Sequence, residues 1–188
     1  MLQSESHDAL VVKQWMQHYR LFQGIESGDR EKIASRFLAF AALHQTRPSP
    51  LDDSAVSKVF SDLLGALYAE VPRGWISATS KLLWCLYPGD VVIYDTFVHR
   101  ALTVMQCIDS DLTGFNRIGA TPTLKGASDI ANATKHYVNY QAMVRRLLFR
   151  HADLLNELRT QRSETYPYDI RILDKLLWMI GDPSEMRT

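Results

Sequence analysis

The chain has 188 residues, about the length of one domain, and is 46% hydrophobic, enough for a sizeable core. Lys plus Arg (21) balance Asp plus Glu (21), which argues against a generic nucleic-acid coat and still allows a local phosphate-binding patch. Two cysteines, Cys85 and Cys107, both in apolar stretches, exclude a disulfide framework and a Cys-rich zinc site.

The opening MLQSESHDALVV has neither the charged nor the apolar region of a signal peptide. The longest apolar run, FLAFAAL at 37–43, falls far short of the ~18 residues that span a bilayer. A cytoplasmic protein without a membrane segment is expected.

Helical periodicity dominates. Val12, Met16, Tyr19 and Phe22 share one face of a first segment. SGDREKIASRFLAFAALHQ follows, acidic in its first turn, with Ile33, Phe37, Phe40 and Ala41 in phase. TRPSPLDD is a loop by its prolines, and Ser54 or Asp53 is expected to cap a third helix carrying Val56, Phe60, Leu63 and Leu67. Residues 76–87 form a compact apolar fourth helix ended by Pro88-Gly89, and a fifth runs from Asp95 to about Cys107. A long helix or bent pair covers roughly 128–162. The last helix, DIRILDKLLWMIGDP, closes with Gly181 at the position after its end and Pro183 beyond.

Only DVVIY at 90–94 reads as extended, and it has no obvious partner strand. The segment 108–128, with Gly, Thr and Pro and no period, is a long loop that either binds something or lacks fixed structure. The expected fold is one all-α domain over 1–188, a compact bundle of about seven helices.

Asp95 has two readings. As an N-cap it accepts hydrogen bonds from free first-turn amides, worth ~1 kcal/mol, and Tyr168-Asp169 opens the last helix with the same dipeptide. As a functional carboxylate it needs neighbours, and the preceding helix offers them. Lys81 and Cys85 in SATSKLLWCLYPGD lie one turn apart on one face. Partial burial of Lys81 would lower its pKa and free the amine for attack. The plain alternatives are a solvated lysine and a small core cysteine.

The order helix, tight loop, short apolar stretch and Asp-capped helix resembles the core of the helix-hairpin-helix DNA glycosylases, and within them the 8-oxoguanine DNA glycosylases. SATSKLLWCLYPGDVVIYDTFVHRAL together with RILDKLLWMIG is similar to the small glycosylase-fold proteins encoded in bacterial antiphage defence operons. The resemblance covers about residues 72–104 and the last helix. It implies that Lys81 attacks the sugar C1′, Asp95 stabilises the developing sugar cation, and Cys85 lies against a flipped base. It further implies that Trp178 on the closing helix stacks on that base, and that no metal or organic cofactor is needed. A nucleic acid or nucleobase ligand, and a partner protein from the same operon, are the implied partners. Ser77 and Thr79 stand where the family has hairpin glycines, and Phe97 stands where it often has histidine.

Lys135, Arg145, Arg146 and Arg150 fall in a stretch without acids between Asp129 and Asp153, so they either track a phosphate backbone or form a solvated face. The six histidines (His7, His18, His44, His99, His136, His151) show no metal-ligand spacing. His99, one turn after Asp95, either contacts a substrate or lies on the helix surface. No phosphate-binding loop, dinucleotide fingerprint or serine-hydrolase elbow is present. Two functions are therefore expected: a glycosylase/lyase acting on a modified purine, or an inactive module of the same fold that binds a nucleobase, nucleic acid or protein.

Overall fold

The structure is a computed structural model that describes residues 9–44, 50–161, 164–165, 167–182 and 184. His7, most of the TRPSP turn and Pro183 lie outside these residues. The described chain is all-helical: α1 (Ala9–His18), α2 (Ser27–His44), α3 (Asp53–Glu70), α4 (Ile76–Leu86), α5 (Thr96–Ile108), α6 (Ser110–Thr113), α7 (Asp129–Arg150), α8 (Ala152–Gln161) and α9 (Asp169–Gly181). Nine helical segments replace the expected seven because the long 128–162 stretch breaks at His151 and a turn of helix forms at 110–113. Among the described residues there is no strand, and no helix is long and apolar enough to cross a membrane.

The core is a single cluster built from the apolar faces of α1 to α5, α7 and α9. Phe60 of α3 stacks on Tyr137 of α7 with ring centroids 3.8 Å apart. The expected inward positions of α2 and α3 are all buried. Tyr19 is an exception. The chain turns at Arg20, whose φ is 55°, so Tyr19 stays 40% exposed while Leu21 and Phe22 swing inward. The α3 cap is neither Asp53 nor Ser54 but Asp52, whose carboxylate accepts from the Ala55 amide. Asp53 instead reaches Arg145 of α7.

Gly181 is glycine for a different reason from the one expected. It is the last residue of α9, and Asp182 follows in extended conformation as the cap. A Cβ on Gly181 would fall 1.8 Å from the Phe97 carbonyl oxygen, so its hydrogen lets α9 close directly onto the α5 backbone. Arg100 of α5 then donates to the Gly181 carbonyl at 3.1 Å. The α5–α9 pair is the most extensive helix contact among the described residues.

Asp90 belongs to the turn after α4, and the 91–94 segment has no strand partner among the described residues and takes side chains instead. Gln141 accepts from the Val92 amide, Tyr137 donates to the Val92 carbonyl, and Tyr140 donates to the Ile93 carbonyl. On the other side, Ser80 of α4 accepts from the Tyr94 amide at 2.8 Å. Buried backbone polar groups are costly to leave unpaired, and α7 carries the groups that meet this need.

Within residues 108–128, the stretch 112–118 is gathered around one side chain. Gln106 donates to the carbonyls of Leu112, Phe115 and Asn116 and accepts from the Ile118 amide. Leu112, Ile118 and Leu124 of the segment are buried.

Candidate functional site

Asp95 is the N-cap of α5. It lies in extended conformation and accepts from the Phe97 amide at 2.9 Å. Asp169 is not its counterpart, because it is the first helical residue, Tyr168 provides no side-chain cap, and the Asp169 carboxylate pairs with Arg159. The shared dipeptide therefore serves two different ends.

Ser80 and Tyr94 bring Lys81 and Asp95 into one region. The residue before Lys81 holds the residue before Asp95, through the buried Ser80 hydroxyl. Lys81 is half-buried, and its ammonium donates to the Ser77 hydroxyl at 3.0 Å one turn back on α4. Burial pushes its pKa below the ordinary lysine range. Asp95 and Asp174 oppose that shift, and Arg171 adds to it. These four charged groups from α4, the cap of α5 and α9 sense one another without Lys81 forming a direct ion pair among the described residues.

Asp174 escaped the sequence reading. It is only 6% exposed, and its Oδ2 pairs with Arg171 one turn back on α9. Its Oδ1 is buried with no hydrogen-bond partner among the described residues. Burial pushes its carboxyl up to about 6 against the pull of Arg171, and Asp95 adds to the rise. An Arg-x-x-Asp-Lys run on a terminal helix reads as a solvated charged face. The available signal was the phase: Ile170, Leu173, Asp174 and Leu177 all fall on the buried stripe.

Cys85 is partly exposed, one turn beyond Lys81, and burial pushes its thiol up to about 12. It is an uncharged thiol and a packing or contact group rather than a thiolate nucleophile. Trp178, one turn beyond Asp174, is partly buried. The Phe97 ring meets it edge-on at 5.3 Å, and the Lys175 ammonium lies 4.2 Å from its ring centre. Arg171 covers the Trp84 ring at 5.8 Å.

The remaining candidates lie elsewhere. His99 donates through Nε2 to the Gly119 carbonyl, and its ring stacks 5.6 Å from His136. His136 in turn meets the Tyr94 hydroxyl at 3.0 Å, and Tyr94 also bonds Thr121 at 2.6 Å. Burial, with His99 beside it, pushes His136 down to about 4, so it is neutral at physiological pH. The three arginines of α7 are engaged: Arg145 with Asp53 and the Leu51 and Asp90 carbonyls, Arg146 with Asp111, and Arg150 with Asp109 and Asp111. Those acids come from other elements, which the acid-free stretch of α7 could not reveal. Lys135 makes no such pair among the described residues, and it faces a cleft with Arg117.

Chemically, the α4–α5–α9 cluster combines an amine eased toward its neutral form, an ionisable carboxylate at a helix N-terminus, and a buried carboxyl able to hold a proton near neutrality. Among the described residues, no group of three or more His, Cys, Asp or Glu is arranged to hold a metal ion. No family model matches the chain, and neither a curated protein nor a solved structure matches it significantly.

Proposed function

We propose that this protein is a DNA glycosylase/lyase-like enzyme of helix-hairpin-helix type that acts in the cytoplasm on a modified purine nucleotide in nucleic acid. Its resemblance to the small glycosylase-fold proteins of antiphage operons suggests a role in defence, with a partner protein from the same operon. The observation that carries the reading is the convergence of Lys81, Asp95 and Asp174 from three separate elements into one partly buried, mutually sensing cluster.

In the proposed step the neutral Lys81 amine donates its lone pair to C1′ as the bond from C1′ to the base nitrogen breaks. The bonding pair leaves with the base, which takes a proton. Asp174, held near 6, is suited to supply it. Asp95 stabilises the positive charge that develops on the sugar. Loss of the amine proton and opening of the sugar ring then give a Schiff base. Cys85 and Trp178 contact the displaced base.

The test is borohydride trapping on duplex and single-stranded DNA containing 8-oxoguanine. Wild type is expected to give a covalent adduct that Lys81→Gln abolishes. Asp95→Asn keeps the helix cap and removes the charge, so its adduct forms far more slowly. Absence of an adduct from folded wild type on both substrates refutes the lyase.

A second reading is an inactive binding module of the same fold. It is favoured by the occupation of both key groups in structural roles, Lys81 on the Ser77 hydroxyl and Asp95 on the Phe97 amide.

A further inference from the structure

A cleft of about 250 Å³ lies between the 116–122 segment and the first half of α7. Arg117 and Lys135 stand at it, with no acidic residue among the described residues that line it. Both are exposed, and neither makes an ion pair or hydrogen bond among the described residues, unlike Arg145, Arg146 and Arg150. Asn116, Asn132, Asn139 and His136 supply polar groups around them.

These groups are not a loose surface set. The Asn139 amide donates to the Asn116 carbonyl at 2.7 Å, which fixes the loop wall against the helix wall. His136 is held by the Tyr94 hydroxyl, and Tyr94 is held to Thr121 and to Ser80. The cleft is thus preformed, at the cost of no charge pairing inside it.

We propose that this cleft binds the phosphate of a phosphodiester strand, with Arg117 and Lys135 as the charge contacts and the asparagine amides as neutral donors. Two unpaired cations facing one concavity in a chain of zero net charge form a local anion site that bulk charge does not explain. The other lining residues include Ala120 and Pro122 and no aromatic ring except the histidine, which Tyr94 already engages. Stacked-base recognition therefore has no platform, and the phosphate ester is what remains to be read. The inference deepens the nucleic-acid reading above, because His136 in the cleft lining meets the hydroxyl of Tyr94, the chain neighbour of Asp95. It does not depend on Lys81 chemistry.

The experiment is fluorescence anisotropy of labelled 12-nucleotide DNA and RNA over a salt series, with inorganic phosphate and AMP as competitors. Arg117→Ala/Lys135→Ala is compared with Lys13→Ala/Lys32→Ala, which removes two charges elsewhere. Each lost single-strand phosphate contact lowers the salt slope by ~0.7, so the cleft variant is expected to lose ~1.4 in slope and bind about 25-fold more weakly at about 0.1 M salt. The control variant keeps the wild-type slope. Failure of the wild type to bind either strand, or an unchanged slope in the folded cleft variant, overturns the proposal. Displacement of the strand by millimolar phosphate or AMP alone overturns the strand as occupant and assigns the cleft to a free phosphate ester. Binding needs no bond cleavage, so a failed trapping reaction with strand binding that depends on the cleft refutes only the enzyme.

Discussion

Replacing Asp174 by Asn removes a carboxyl that the fold raises from 3.8 to about 6. A raised carboxyl means that the native state binds more protons than the unfolded chain between those two values. The associated stability is therefore complete below the unfolded pKa and is lost as pH rises through the native one. At 1.36 kcal/mol per pH unit, the shift corresponds to about 3 kcal/mol, most of it lost between pH 4 and pH 7. Asp174 is 6% exposed, so solvent screening takes little from this figure. Asp174→Asn keeps the shape and lacks the titration. The pull of Arg171 is already contained in the native value of about 6, so it adds no separate pH-dependent contribution. Urea unfolding of both proteins at half-unit steps from pH 4 to pH 7.5 measures the difference, in which His99, His136 and the other shared groups cancel. The stability of Asp174→Asn relative to wild type should rise by about 2 kcal/mol or more across the series. A difference that stays flat, or rises toward low pH, refutes the assignment of Asp174 as a buried, destabilised carboxylate.

Gly181→Ala forces a methyl group into the Phe97 carbonyl and should cost about 3 kcal/mol by parting α9 from α5. The urea midpoint reads the loss, and a variant as stable as wild type contradicts the close approach. Iodoacetamide at pH 8 should label exposed Cys107 readily while Cys85 is protected, because a thiol moved from 9.0 to about 12 has about a thousandfold less thiolate. Peptide mass spectrometry separates the two sites. Equal rates in the folded protein rule out the protected thiol.

The helical class and the inward faces of α2 and α3 were legible because period alone decides them. Asp95 was legible as a cap from its place after an apolar stretch. The Asp52 cap was missed because three adjacent polar residues offer equivalent caps, and only the Asp53–Arg145 pair across the bundle separates them. Lys81 was legible as a candidate by its spacing to Cys85, yet its clamp, Ser80 to Tyr94, joins residues 14 apart and leaves no local trace. Asp174 was illegible as chemistry because a charged residue at a core phase reads as a tolerated exception. The fates of Arg145 and Arg150 were illegible because their partners lie 92 and 41 residues away.

The side-chain pegs that hold 90–94 also bear on aggregation. Val91, Val92, Ile93 and Tyr94 form a short β-prone run of the kind that recruits other chains when its edge is free. In the native protein, hydroxyls and an amide from α4 and α7 occupy the Val92 amide and carbonyl, the Ile93 carbonyl and the Tyr94 amide, which blunts it as a template. Any partial opening that lifts α7 uncovers this adhesive segment at once. The same helix that holds the segment leading into Asp95 is thus also its cover.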